Sequence, residues 1–350
     1  MKLTCLASAL PPESPTGWGT ASRRITEELG KLTLVHDFRG SAYLNRDFPI
    51  RVNLPVLQAM QGVNLLPMYP QIMGYYDIGY CFIEDDLLLK KYAENARFWS
   101  AVMCGSSWAT SCMKEALRGQ DIRVGIAIQG VDTDIFKPDP ETRPDPSRFT
   151  IYSGGKFEYR KSQDVVIRAV GILMERHKDV YLKAAWWNPW PISMATMCQS
   201  KLINFTGDVE NACAEHLDMS RVEFMQPVAH GGTVKHMNVC DVALFPNRCE
   251  AGTNLPMMEA MACDLPVIAT VEHGHGDMRL GISIVIPSKD VVINGPHGPQ
   301  ATWYEPDLDS TVAALEHAYK RKETDCVNPR EFISRFTWKR CAENLLEACE

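Results

Sequence analysis

Phe245-Pro-Asn-Arg-Cys-Glu-Ala-Gly-Thr-Asn-Leu-Pro-Met-Met-Glu-Ala-Met-Ala-Cys-Asp-Leu-Pro-Val-Ile-Ala269 is the stretch from which the rest of the chain can be read. Asp241 to Phe245 is a short apolar run, fit for a buried parallel strand, and Pro246 ends it. A polar loop holding Gly252 follows. Asn254 is the expected N-cap of a short helix, with Pro256 tolerated in the first turn. Cys263-Asp-Leu-Pro266 stops that helix, and Val267 to Ala269 begins the next strand. The loop therefore lies at the C-terminal end of a strand, where open α/β sheets bind ligands. Free N–H groups at the helix start suit an anion. Glu259 leans back toward the same helix start. A carboxylate there would repel a phosphate but suits the paired hydroxyls of a ribose. Glu250 sits in the loop itself. Read alone, Glu250 is equally a solvated loop charge, and Glu259 equally a residue that complements the helix dipole.

Two further glycine loops extend this pattern. Lys2 to Ala9 reads as a strand. It runs into Pro11-Pro-Glu-Ser-Pro-Thr-Gly-Trp-Gly19, and a helical pattern starts at Thr20 with Ile25, Leu29 and Leu32. Strand, glycine loop and helix is the layout of a phosphate site. No third glycine completes a dinucleotide fingerprint. Thr150 to Ser153 is another strand, followed by Gly154-Gly-Lys-Phe-Glu-Tyr-Arg-Lys-Ser162 and an amphipathic helix, Gln163 to His177. Lys156, Arg160 and Lys161 stand beside the glycine turn. Cations so placed suit a diphosphate leaving group, on which negative charge grows as its bond to a sugar breaks.

Taken together, these segments resemble the GT-B retaining glycosyltransferases of family GT4, the glycosyl transferases group 1. Leu255-Pro256, Glu259-Ala-Met-Ala262 and Pro266-Val-Ile268 match the family's donor-site signature. Lys156 stands for a more usual arginine, Lys161 matches, and Ser162 replaces a glycine. Gln129-Gly-Val-Asp-Thr-Asp-Ile-Phe-Lys-Pro138 resembles the segment that closes the N-terminal domain. The family has seven residues between its two glutamates, and this chain has eight. Strict register would put Ala251 at the first position; the reading adopted is one extra loop residue, with Glu250 keeping the role.

The resemblance implies roles. Lys156 and Lys161 hold the diphosphate and stabilise the leaving group. Gly17, Gly19 and Gly155 let the backbone approach it. Glu259 binds the ribose, and Glu250 holds the sugar with the amides of Thr253, Asn254 and Leu255. Glu84, in the strand and acidic cluster Tyr76 to Asp86, is an acceptor-side candidate. So is His275, in the polar turn from Thr270 to Asp277, expected to face the cleft. No residue is assigned as a covalent nucleophile.

The implied fold is α/β: GT-B, two Rossmann-like domains with parallel sheets facing across a cleft. Residues 1–146 form the acceptor-side domain and 147–330 the donor domain, joined by the Pro138 to Ser147 linker. Residues 331–350 form a helix expected to cross back. The implied activity is retaining transfer of a sugar from a nucleotide sugar, such as a UDP- or GDP-sugar. The acceptor is a hydroxyl compound: a glycan, a lipid-linked molecule or a small molecule. No cofactor and no metal are expected. The shifted glutamate and Ser162 leave open a catalytically silent binding or scaffold subunit. A nucleotide-sugar epimerase or a phosphorylase is the other alternative.

Composition narrows the partners. A net charge of −7 argues against a nucleic-acid footprint. The 12 cysteines lack metal-type pair spacing, and no leading apolar segment is seen, which favours a reducing cytoplasm. No run approaches the length of a membrane span, while peripheral membrane contact stays open. Trp186-Trp-Asn-Pro-Trp-Pro191 offers aromatics for packing or for stacking on a base.

Overall fold

The computed structural model describes residues 5–14, 16–39, 48–142, 144–296, 298–321 and 328–349. Lys2 to Thr4, expected at the start of the first strand, lie outside the described residues, as does Pro15.

The N-terminal half builds one sheet. Its elements are β1 (Cys5–Ala9), α1 (Gly17–Leu32), β2 (Leu34–Asp37), β3 (Pro55–Ala59), β4 (Tyr76–Cys81), β5 (Ala101–Cys104), α2 (Ser107–Ala116) and β6 (Arg123–Ile126). The strand order is β2-β1-β3-β4-β5-β6, and every pairing is parallel. β3 and β5 are buried along their whole length. That burial suits their largely apolar sequences, because a parallel sheet is covered on both faces, and the buried Gln58 of β3 donates to Ile72 O at 3.2 Å.

The second half repeats the plan. It comprises β7 (Phe149–Gly155), α3 (Gln163–Arg176), β8 (Val180–Trp186), β9 (Val222–Phe224), β10 (Val242–Phe245), α4 (Leu255–Ala262), β11 (Val267–Ala269) and β12 (Ile284–Val285). Its order, β9-β8-β7-β10-β11-β12, is again parallel throughout. In each sheet the strand order reverses beside the first strand, between β1 and β3 and between β7 and β10. Such switch points open a crevice at the strands' C-terminal ends.

An antiparallel hairpin follows, β13 (Ser288–Gly295) and β14 (Gly298–Pro306), which the sequence reading did not contain. It reaches back to the N-terminal sheet. Gln300 Nε2 donates to Asp85 Oδ1 at 2.6 Å, Thr302 N to Asp86 Oδ1 at 2.7 Å, and Trp303 Nε1 to Glu84 O at 2.9 Å. The acidic cluster at the end of β4 is thus divided in use: Asp85 and Asp86 seat the hairpin. Then come α5 (Leu308–Arg321), α6 (Pro329–Ile333) and α7 (Trp338–Glu347). Trp338, Cys341, Ala342 and Leu345 form the buried stripe of α7, which packs on α1.

Three local expectations need correction. The first helix begins at Gly17 and not at Thr20, because Thr16 is its N-cap and its hydroxyl accepts from Gly19 N at 3.2 Å. Asn254 holds the cap position of α4 at φ +61°, and its side chain makes no cap bond. The segment from Thr270 to Asp277 does not turn toward the cleft. It leads into a 3₁₀ helix, His273–Gly281, and Asp277 Oδ2 accepts from Ser107 N at the start of α2 at 2.8 Å.

Candidate functional site

A cleft of about 580 Å³ lies between the two switch points, lined from both domains. Two helix N-termini meet in it. A Cβ placed on Gly17, the first residue of α1, would lie 3.9 Å from Leu255 Cδ1, at the first residue of α4. Both helix starts present N–H groups that have no partner within their own helix.

The third contribution comes from the end of β7. Gly155 has φ +121°, a conformation that side-chain-bearing residues avoid, and the chain turns there into a 3₁₀ turn, Tyr159–Lys161. Ser162 closes that turn at φ +57°. Its hydroxyl accepts from Arg248 N at 3.0 Å. This bond ties the basic loop to the loop after β10.

Lys161 and Glu250 form a buried ion pair, and Glu250 also accepts from Asn247 Nδ2. Burial alone would raise the Glu250 carboxyl; Lys161 and Arg160 outweigh it and hold the group below the usual range. Arg160 is the hub. Its guanidinium pairs with Glu158, lies 3.2 Å from Glu84 Oε1 and 3.5 Å from Glu250 Oε2, and donates to Cys249 O at 3.2 Å. Lys156 Nζ lies 3.3 Å from Glu158 Oε2 and 5.2 Å from the ring centre of Trp190. Glu158 resists its own burial because Arg160 and Lys156 pull its pKa down to about 2.

Arg248, 1 % exposed, supports this loop from below. It makes paired bonds to Asp164, 2.8 Å each, and to Glu305 at 2.6 and 2.7 Å, and it stacks 3.8 Å over the Tyr159 ring. A planar guanidinium with bidentate partners on two sides fixes the loop's direction.

Glu259 lines the cleft with 14 % of its side chain exposed. Burial, with Asp132 adding to it, pushes its carboxyl up to about 8. His230 Nδ1 lies 4.0 Å away, and His230 Nε2 lies 2.8 Å from Asp132 Oδ2.

The structure does not bring every predicted residue to the cleft. Gly17, Gly155, Lys156, Lys161, Glu250, Asn254, Leu255, Glu259 and Glu84 line it. Gly19 is buried, and a Cβ there would strike Ser14 N at 2.2 Å, so its smallness serves the chain's own turn. Thr253 is buried with its hydroxyl 3.0 Å from Met258 Sδ. His275 is buried beneath the loop and not on the acceptor side. Its Nδ1 lies 3.1 Å from Thr270 O, and its Nε2 lies 3.1 Å from Asn254 Nδ2. Those partners select the neutral Nδ1–H tautomer, and burial pulls its pKa down to about 4. His275 thus holds the Asn254 amide, whose Oδ1 is buried with no hydrogen-bond partner among the described residues.

Two contributors were missed as site elements. Arg160 was read only as one cation among three; its position beside Lys161 in a turn was the available signal. The hairpin, whose Glu305 pairs with Arg248, was signalled by the apolar run Val291 to Ile293 before the turn dipeptide Gly295-Pro296.

Residues 148–292 match the family model described as Glycosyl transferases group 1. Among curated relatives, an uncharacterized glycosyltransferase of Methanocaldococcus jannaschii is 22% identical over 301 residues, covering 86% of this chain and 69% of the relative. A D-inositol 3-phosphate glycosyltransferase of Paenarthrobacter aurescens is 26% identical over 245 residues, covering 66% of this chain and 52% of that protein. Among solved structures, Anabaena HepE, crystallised with UDP and glucose, superposes with a TM-score of 0.65 at 13% identity, over 99% of both chains.

Proposed function

We propose, taking as premise that this chain is a GT-B glycosyltransferase whose residues 148–292 carry the group 1 domain, that it moves a sugar from a nucleotide-diphosphate sugar to a hydroxyl acceptor with retention of configuration. One observation carries the reading: Lys161, Arg160 and Lys156 gather at the same cleft as the starts of α1 and α4. A diphosphate there meets side-chain cations and backbone N–H groups together. Glu259 takes the ribose hydroxyls. Glu250 and Asn254 Oδ1, which has no partner among the described residues, accept hydrogen bonds from hydroxyls of the transferred sugar.

In the step itself, the bond between the anomeric carbon and the phosphate oxygen breaks. The acceptor oxygen bonds to the same carbon on the same face, and its proton passes to the departing phosphate. Lys161 and Arg160 stabilise the charge that grows on that phosphate. No helix among the described residues is long and apolar enough to cross a membrane. Incubation with UDP- and GDP-sugars, with and without an acceptor pool, tests the reading through nucleotide release. NMR of the product reads the anomer. A product of inverted configuration would overturn the retaining step, and an unconsumed panel would overturn the transfer.

A further inference from the structure

We infer that the acceptor is a neutral, unphosphorylated hydroxyl compound that lays the apolar face of a sugar ring on the N-terminal wall of the cleft. This rests on the transferase reading above and deepens it.

The two walls differ in charge. The cations that line the cleft, Lys156, Arg160 and Lys161, all belong to the C-terminal domain. The N-terminal wall presents Pro12, Trp18, Met68 and Phe82, with no Lys, Arg or His among the described lining residues. The nearby arginines of α1 are engaged elsewhere. Arg23 Nε lies 2.9 Å from Glu13, and Arg24 bonds Glu27 at 3.0 Å and Asp132 at 2.7 Å. Among the described residues the titratable side chain that this wall presents is an acid, Glu84. Among the described residues the remaining positive source is the start of α1, and Gly17 there faces Leu255, on the donor side. A phosphorylated acceptor would meet apolar surface and a carboxyl group, with no cation among the described residues of that wall to pair with.

The wall is also shaped for a ring. Trp18 meets Phe82 edge to face at 4.7 Å and Tyr80 at 5.7 Å, and Tyr80 is itself fully buried with its hydroxyl bonded to Ala127 O at 2.8 Å. The indole is therefore held while still half-buried at the cleft surface. The C–H face of a pyranose stacks on such a ring, and Ser14, Thr16 and Gln129 border it with groups that bond neutral hydroxyls.

Titration calorimetry on the nucleotide-saturated full chain tests this, with p-nitrophenyl β-D-glucopyranoside and its 6-phosphate as probes. The neutral probe is expected to bind at least about ten-fold more tightly than the phosphate. Trp18→Ala should weaken the neutral probe by about ten-fold, while Trp18→Phe retains most of the affinity. Met68→Lys should raise affinity for the 6-phosphate and leave the nucleoside diphosphate unaffected. Equal or tighter binding of the 6-phosphate by the wild type, or no binding of the neutral probe to a nucleotide-loaded chain, overturns this inference alone. A chain that binds neither UDP nor GDP overturns the transferase reading and takes this inference with it.

Discussion

Arg160 Nε lies 3.2 Å from Glu84 Oε1, and the two residues belong to opposite walls of the cleft. Glu84 is the N-terminal domain's contribution to a network in which Lys156, Arg160 and Lys161 are matched by Glu84, Glu158 and Glu250. The cations are thus fully answered before any ligand arrives, and a diphosphate must compete with carboxylates for them. Glu84 is the weakest of the three competitors. Its side chain is 42% exposed, against 7% for Glu158 and 6% for Glu250.

Glu84→Gln should therefore tighten nucleoside diphosphate binding. The replaced pair is partly exposed, so the gain is about two- to five-fold, within the usual worth of such pairs. Calorimetry with UDP and GDP reads it. Weaker binding by the variant would mean that Glu84 positions Arg160 and does not compete for it.

Lys161→Ala removes a charge-assisted contact to the diphosphate worth about 1.5–3 kcal/mol, or a rise in Kd of about 10- to 150-fold. Glu250 keeps Arg160 within 3.5 Å, so the fold should survive. Circular dichroism checks the fold, and calorimetry the affinity. Wild-type affinity in a folded variant would refute the diphosphate site.

Glu250→Gln and Glu259→Gln should separate. The first retains nucleotide binding and loses most sugar transfer and donor hydrolysis, because the sugar is no longer held. The second weakens binding of the bare nucleotide, because the ribose contact changes. Full turnover in Glu250→Gln, with Glu259→Gln behaving as stated, would move the sugar contact to another residue.

Stability should respond to pH through two buried groups of opposite sign. The folded chain holds the Glu259 proton to about 8, above the ordinary 4.5. Its contribution is fully present below 4.5 and is lost as pH rises through about 8. His275 stays neutral down to about 4, below the ordinary 6.5, so its contribution is present above 6.5 and is lost as pH falls toward 4. Between pH 6 and 9, Glu259→Gln should lose less Tm than the wild type. Parallel melting profiles would contradict the buried carboxyl.

Asp164→Asn should destabilise the chain by about 3–5 kcal/mol, since it leaves Arg248 buried with half its partners neutralised. Denaturant unfolding measures it. A loss under about 1 kcal/mol would mean that Glu305 alone holds the guanidinium.

The parallel strands and the two loops around Gly155 and Gly252 were legible because their signals are local. Apolar runs, prolines and glycines act within a few residues, so β7, α3, β10, α4 and β11 were read in place. Helix starts were less legible. Thr16 competes with the glycines that follow it, and only its bond to Gly19 N makes it the cap. Ser162 was read as a departure from the glycine pattern. A serine gives no sign of φ +57°, and what holds it there is a bond to Arg248 N, 86 residues on.

Residue order alone determined which chemistry was available: glycine turns, lysines and an arginine beside one of them, and two glutamates around a helix start. Tertiary structure decided which of these meet. Glu250 and Lys161 are 89 residues apart and join because β7 and β10 are neighbours at a switch point. His275 left the cleft because the chain after β11 winds under the loop and spends the imidazole on Asn254. Glu84 gained its partner only when the second domain placed Arg160 opposite it. Periodicity and turn chemistry act over a few residues, whereas the pairing of charges depends on where separate strands end, and that is set by packing across the whole chain.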